Sequence, residues 1–202
     1  GKNRSFDISI INVDEENTFN QLFDQTILMN GRLVNYARDD LQSFTLSRFM
    51  PPELMGYKGT SYVIDPDIFC LSGDFNNIFD MEIEKPVGAT LQNGKFLSSS
   101  MLLKNQNLEH WKITDIIESL KAHKYDYRYF MNLDFENQSV SEIPSSFNHL
   151  DRLDEETILL HNTNRLTQPW KTGLKVDFRR EKLKPFLGVI PREVIHFALG
   201  RR

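Results

Sequence analysis

The sequence has little of several features that mark particular classes of protein. It contains a single cysteine, Cys70, which excludes an intramolecular disulfide and favours a reducing compartment, so we expect a cytoplasmic location. No apolar run reaches the ~20 residues that a membrane-spanning helix needs, and no signal-peptide pattern opens the chain. The 24 basic residues do not exceed the 28 acidic ones, which argues against a dedicated nucleic-acid binder. Glycine-rich phosphate loops and Ser/His/Asp or Cys/His nucleophile arrangements are also absent from the sequence.

The apolar residues that are present alternate between strand-like and helix-like spacing along 202 residues. We predict strands over 6–13, 60–64, 101–103 and 157–160, and helices behind Asp14 through Ile27, over 43–49 with an end at Pro51-Pro52, and over 108–123. This alternation predicts an α/β fold with a mixed, mainly parallel sheet flanked by helices. Ligands bind beyond the carboxyl ends of the strands in such folds. We assign residues 1–178 to this domain and residues 179–202 to a C-terminal helical extension.

Asp65 and Asp67 follow the apolar strand Thr60–Ile64 directly, and the apolar run resumes behind them. Alternate residues of an extended segment point to the same side, so Asp65-Pro66-Asp67 presents two carboxylates to one point. Carboxylate oxygens suit a hard divalent cation such as Mg²⁺ or Mn²⁺. Acid-x-acid triplets are common in this sequence, so a solvated surface pair is an equal alternative on the pattern alone.

His161 closes the last predicted strand, TILLH, and a polar loop that ends in Pro169-Trp170-Lys171 follows it. A lone histidine at a strand end is more often structural than a ligand. The loop behind it carries two cations, Arg165 and Lys171, and an indole, which are groups that bind phosphate and sugar. The pattern therefore leaves His161 open between a structural residue and a ligand.

Five segments of the chain resemble glycosyltransferase family 8, the glycogenin-like family, and they occur in the same order as in that family. TSYVIDPDIFCLSGDFNNIF is similar to the family's metal-binding strand, and LLHNTNRLTQPWK is similar to its closing segment of a histidine followed by Lys-Pro-Trp. FTLSRFMPPEL resembles the helix whose arginine faces the donor phosphates. FLSSSMLLKNQNLEHW resembles the Asn-Ser/Ala-Gly segment, and IPSSFNHL resembles the Pro-x-x-Trp-Asn segment. The resemblance covers about residues 44–171.

The resemblance implies a nucleotide-diphosphosugar transferase (GT-A) fold and an enzyme. The implied reaction is the transfer of a sugar, with retention, from a nucleotide-diphosphosugar such as a UDP-sugar to a carbohydrate or glycoconjugate acceptor. Asp65, Asp67 and His161 would hold Mn²⁺ or Mg²⁺, which assists departure of the nucleotide. Asp126 takes the place of the family's acidic residue near the transferred sugar, with a catalytic role. The substrate-binding residues that the resemblance implies are Arg48, Ser98, Asn148, Arg165, Gln168, Trp170 and Lys171.

Several positions depart from the family pattern. Gln168 stands where the family has a lysine before Pro-Trp, and Leu97 stands where it has an asparagine. The family opens with a strand and loop that hold the nucleotide base, whereas we expect this chain to begin at the family's second strand, over 6–13. Two alternatives to the transferase therefore stay open. They are a non-catalytic glycosyltransferase-like binding domain and a metal-dependent phosphoesterase that uses the same three ligands.

Overall fold

The computed structural model describes residues 6–163, and the secondary structure of this part is short and mixed. Its strands are β1 (Thr26–Met29), β2 (Arg32–Asn35), β3 (Thr60–Ile64), β4 (Ile68–Cys70), β5 (Val87–Gln92), β6 (Lys95–Lys104), β7 (Val140–Glu142), β8 (His149–Leu150) and β9 (Leu159–His161). Its α-helices are α1 (Pro51–Leu54), α2 (Ile113–Lys121) and α3 (Tyr127–Met131). Its 3-10 helices are Asn17–Gln21, Thr45–Phe49, Gly73–Asp80, Asn105–Asn107, Asp134–Glu136 and Ser145–Phe147.

The described strands form a hairpin and two sheets. β1 and β2 make the hairpin, a four-stranded sheet has the order β3-β6-β5-β7, and a three-stranded sheet has the order β4-β9-β8. The β5–β7 and β8–β9 pairs are parallel, and the β1–β2, β3–β6, β4–β9 and β5–β6 pairs are antiparallel. The prediction of a mixed α/β fold is confirmed. The expectation of a mainly parallel sheet is wrong for the described residues, where antiparallel strand pairs outnumber parallel ones. The reason is that β5 and β6 follow each other through a tight turn at Asn93-Gly94, which requires antiparallel strands.

A smaller cluster of apolar side chains lies between the two sheets. Ile68 of β4 and Leu159 of β9 pack with Leu102 of β6, and the other buried members of this cluster are Ile78, Ile83, Ile143 and Phe147. Full burial of each such side chain is worth about 1.5–3 kcal/mol, so the cluster holds the two sheets together. A larger cluster packs the buried face of α2 against the four-stranded sheet and the hairpin.

Several predicted elements are confirmed. β3 has the predicted bounds, 101–103 lies within β6, and β9 ends at His161 as expected. The helix predicted over 108–123 is α2, which begins later than residue 108 and buries Ile113, Ile116, Ile117 and Leu120.

Other predicted elements are wrong. Residues 6–12 are not a strand: Phe6 packs on the rings of Phe75 and Phe79, while the backbone forms no ladder with another described strand. The helix predicted behind Asp14 is only the 3-10 turn Asn17–Gln21, because Asp24 takes a left-handed conformation and leads the chain into β1.

The helix predicted over 43–49 is the 3-10 helix Thr45–Phe49, which ends before Pro51 as expected. Pro51 then begins the short helix α1, since the first helical position needs no backbone N–H. Cys70, although it lies in an apolar strand, is exposed. The predicted extension over 179–202 lies outside the described residues. Within residues 6–163 no helix is long and apolar enough to cross a membrane.

Candidate metal centre

The segment Asp65-Pro66-Asp67 is a turn that carries the chain from one sheet to the other. The Asp65 N–H donates to the Ser99 carbonyl of β6 (3.1 Å), which continues the β3–β6 ladder by one residue. The Ile68 N–H then donates to the Asp65 carbonyl (3.1 Å), and β4 begins at Ile68. Pro66 therefore occupies the second position of a tight turn, where its fixed φ is favourable. The expectation of an extended Asp65-Pro66-Asp67 segment is therefore wrong, because the segment is a turn.

His161 reaches this turn through the pairing of β9 with β4. In that antiparallel register His161 lies opposite Ile68, the residue that follows Asp67. The Asn162 N–H also donates to the Asp67 carbonyl (3.2 Å), which extends the contact past the end of β9. Strand pairing thus brings together residues that are almost one hundred positions apart in the sequence.

The ligand atoms of Asp65, Asp67 and His161 all lie within 4.8 Å of one another. The His161 Nε2 atom is 3.2 Å from Asp67 Oδ1 and 3.9 Å from Asp65 Oδ2. The Asp65 side chain is 5% exposed, that of His161 is 9% exposed and that of Asp67 is 24% exposed, so the group opens to solvent on the Asp67 side. Two carboxylates and one imidazole in this arrangement fit a divalent cation such as Mn²⁺ or Mg²⁺.

Arg48 holds Asp65 from the side of the 3-10 helix Thr45–Phe49. Its Nε atom donates to Asp65 Oδ1 (2.7 Å) and its Nη2 atom donates to Asp65 Oδ2, which makes a bidentate ion pair. Its Nη1 atom donates to the Ser98 hydroxyl (3.0 Å). The Arg48 side chain is 11% exposed and that of Asp65 is 5% exposed, so this is a largely buried pair.

Burial and the charge of the partner shift the pKa of each member of this pair in opposite directions. Burial lowers the pKa of the Arg48 guanidinium, the Asp65 carboxylate raises it, and the net shift is upward. Burial raises the pKa of the Asp65 carboxyl, and the guanidinium opposes this shift without cancelling it. Because both carboxylate oxygens accept from the guanidinium, we describe the pair as ionised.

The structure places the predicted substrate-binding residues Ser98 and Asn148 in the protein interior. Ser98 is buried on β6 and accepts from Arg48. Asn148 is buried just before β8, where its amide contacts His161 on one side and the Thr90 and Ser99 hydroxyls on the other. Both residues therefore adjoin the Asp65–Asp67–His161 group.

Asp126, the predicted catalytic acid, lies at the N-terminus of α3. Its Oδ1 atom accepts from the Arg128 N–H (2.8 Å), which is a helix N-cap, and its Oδ2 atom accepts from the Gly31 N–H (2.9 Å) in the β1–β2 turn. These bonds tie the hairpin to α3, which is a structural task. The structure does not group Asp126 with the three predicted metal ligands.

The other predicted substrate-binding residues, Arg165, Gln168, Trp170 and Lys171, lie outside the described residues. Sequence reasoning missed Thr90 and Ser99, whose hydroxyls surround Asn148. Thr90 lies on β5 and Ser99 on β6, and single hydroxyl side chains on strands are too common to be a signal. A shallow pocket of about 230 Å³ beside α2, with Tyr125 and Tyr129 among its lining residues, does not include the three predicted ligands.

The fold is of the GT-A glycosyltransferase type, a mixed α/β fold. The chain is similar to the glycosyltransferase GlyE of Streptococcus pneumoniae TIGR4, with 18% identity and a TM-score of 0.50 over 67% of this chain. It is also similar to apo-form GlyE, with 16% identity and a TM-score of 0.51 over 67% of this chain. In both cases the match spans 41% of the length of GlyE.

A galactosyltransferase structure, LgtC in complex with donor and acceptor sugar analogs, matches with 14% identity and a TM-score of 0.44 over 63% of this chain and 62% of that one. No protein-family model matches the chain, and no curated protein sequence matches it. At these identities the likeness defines the fold alone.

Proposed function

We propose that the chain is a metal-dependent glycosyltransferase domain of the family 8 type. It would transfer a sugar with retention from a nucleotide-diphosphosugar, a UDP-sugar being our first choice, to a carbohydrate or glycoconjugate acceptor. The observation that carries the proposal is the Asp65–Asp67–His161 group at the junction of the two sheets, in a chain with a GT-A fold. The match covers less than half of GlyE, so the activity of the whole protein is part of the proposal.

Asp65, Asp67 and His161 are the residues that would hold the cation. When bound, Mn²⁺ or Mg²⁺ supplies positive charge that stabilises a departing diphosphate. Arg48 keeps the Asp65 carboxylate in a fixed position through two hydrogen bonds. Asp67, the most exposed of the three, would stand on the side from which a donor approaches.

A thermal-unfolding titration with Mn²⁺ and UDP, alone and together, tests the site. A ligand that binds only the native state at 100 times its Kd stabilises that state by about 2.7 kcal/mol, which raises the Tm by about 5–10 °C for a chain of this size. We expect a joint shift in the wild type that a chelator reverses and that Asp67→Asn abolishes. Asp115→Asn, which removes an exposed carboxylate from α2, is the matched control and should keep the shift. An absent shift in the wild type, or an equal shift in Asp67→Asn, would refute the site.

A non-catalytic binding domain is the second candidate. The observation that favours it is that Ser98 and Asn148, both expected to bind substrate, are buried and bonded to protein groups. Measurement of UDP release from a panel of UDP-sugars, with and without sugar acceptors, separates the two candidates. Mn²⁺-dependent release that Asp67→Asn abolishes supports the transferase, and binding without release supports the binding domain.

A further inference from the structure

We infer that Asn148 is a positioning residue that fixes His161 with a proton on Nδ1 and thereby leaves Nε2 for a cation. The inference rests on the proposed metal function of the Asp65–Asp67–His161 group. It assigns to Asn148 a task other than contact with a donor sugar, and it adds Thr90 and Ser99 as the groups that orient the asparagine.

The contact between the two side chains is direct and buried. Asn148 Oδ1 lies 3.0 Å from His161 Nδ1, and both residues are shielded from solvent. β8 begins immediately after Asn148 and runs parallel to β9, with Leu150 opposite His161. The backbone pairing therefore fixes the separation of the two side chains before any side-chain hydrogen bond forms.

The amide orientation follows from its hydrogen bonds. Asn148 Nδ2 lies 3.1 Å from Thr90 Oγ1 and 3.1 Å from Ser99 Oγ, so each of its two N–H groups has a hydroxyl oxygen to donate to. In the opposite orientation the amide nitrogen would face His161 Nδ1, and one of its N–H groups could donate to that atom. The second N–H would then be buried with no acceptor among the described residues. Because buried donors are normally satisfied, Oδ1 is the atom that faces His161.

A carbonyl oxygen can only accept a hydrogen bond, so the atom that faces it must donate. His161 Nδ1 therefore carries a proton, and in the neutral imidazole the other nitrogen, Nε2, then has a free lone pair. That atom is the one that lies 3.2 Å from Asp67 Oδ1. A lone pair and a carboxylate oxygen at this distance repel each other unless a proton or a cation lies between them. The relay from Thr90 and Ser99 through Asn148 thus prepares His161 as a metal ligand, as groups behind metal-binding histidines commonly do.

The test measures Mn²⁺ affinity in the wild type, in two Asn148 variants and in one Asn105 variant. Affinity is obtained from the loss of the free Mn²⁺ signal in electron paramagnetic resonance. Asn148→Leu keeps the volume and removes the acceptor, and we expect affinity to fall by about 10–100-fold. Asn148→Asp keeps an acceptor for the Nδ1 proton, and we expect affinity within threefold of the wild type. Asn105→Leu is the matched control, because Asn105 is equally buried and bonded to Lys58 and Ser61. It should lower stability and leave Mn²⁺ affinity unchanged.

If Asn148 has a merely structural role, Asn148→Asp should bind Mn²⁺ no better than Asn148→Leu. Burial of a new carboxylate would destabilise Asn148→Asp at least as much as Asn148→Leu, and affinity would follow stability. Long-range ¹H–¹⁵N spectra give a second readout that does not depend on activity. In the Zn²⁺-saturated wild type, a diamagnetic probe state, we expect a protonated Nδ1 on His161, and in Asn148→Leu we expect this signal to lose its defined position.

The outcomes separate this inference from the proposed function. If the wild type binds Mn²⁺ and Asn148→Leu binds it within threefold, the inference is overturned while the metal site stands. If the wild type does not bind Mn²⁺, the proposed site fails, and the spectra of the metal-free protein decide the inference. A Nδ1 proton present in the wild type and lost in Asn148→Leu then supports it, and a His161 without a Nδ1 proton overturns it.

Discussion

The buried ion pair between Arg48 and Asp65 yields a large and specific stability prediction. Both carboxylate oxygens accept from the guanidinium, and the two side chains are 11% and 5% exposed. Arg48→Met keeps the apolar stem and leaves the carboxylate buried without its counter-charge. Removal of one member of a buried pair costs about 3–5 kcal/mol, because the remaining charge is uncompensated. For a chain of this size that loss lowers the Tm by about 6–20 °C.

The assay is urea unfolding followed by circular dichroism, with the exposed pair Arg38–Asp14 as the matched control. Those side chains are 47% and 63% exposed, so Arg38→Met should cost at most about 1 kcal/mol. The double variant Arg48→Met with Asp65→Leu removes both charges and should recover most of the loss. An Arg48→Met loss no larger than that of Arg38→Met would refute the description of Asp65 as a buried, paired carboxylate.

The sign of the pH dependence gives a further check on the same variant. Without the guanidinium, the pKa of Asp65 rises further above its unfolded value of about 4, because the positive charge that opposed the effect of burial is gone. Between the unfolded pKa and the raised folded pKa, Asp65 of Arg48→Met is mainly protonated in the folded state and mainly ionised in the unfolded state. The loss of stability in Arg48→Met should therefore be small below about pH 4, grow as the pH rises, and reach its full size above the raised pKa.

Two further predictions concern the scaffold. Gly88→Ala should lower the unfolding free energy by about 1–3 kcal/mol in urea titrations, because a Cβ at Gly88 would lie 2.9 Å from the Ile143 side chain, and an unchanged midpoint would contradict this packing. Burial raises the pKa of Tyr127 to about 12 and also raises those of Tyr36 and Tyr62. The folded state therefore holds these phenolic protons that the unfolded chain loses above about pH 10, so stability should fall as the pH rises past that value. Absorbance at alkaline pH should show these phenols ionising together with unfolding, and their ionisation in the folded protein would contradict the prediction.

The residues of the candidate site could be predicted because their signal is local. β3 is an apolar run of five residues that ends at two carboxylates, and β9 is an apolar run that ends at His161. Residue type and the end of a strand marked Asp65, Asp67 and His161 as separate candidates, and the family resemblance joined them into one set. Their proximity required strand pairing, which the order of the elements suggested only through the family resemblance.

The contacts around those residues could not be predicted, because they join elements that the sequence does not relate. Arg48 was expected to face donor phosphates, yet its guanidinium is taken up by Asp65 and Ser98. The family resemblance implied a catalytic role for Asp126, and in the structure its carboxylate accepts from backbone N–H groups in two separate elements. A carboxylate that caps a helix and one that acts on a substrate are identical in the sequence, and only the groups around them distinguish the two.

The position of the group between the sheets has a consequence for how it is built. Asp65 is held by the four-stranded sheet through the Ser99 carbonyl, and Asp67 and His161 are held by β4 and β9 of the three-stranded sheet. Asn148 spans the same junction, since its amide reaches β5 and β6 on one side and β9 on the other. The relative position of the sheets therefore sets the separation of the three ligand atoms. A change in the apolar cluster between the sheets should alter this separation even though it touches none of the three. The geometry of the candidate metal centre is thus a property of the packed junction, and the Asp-x-Asp segment alone does not supply it.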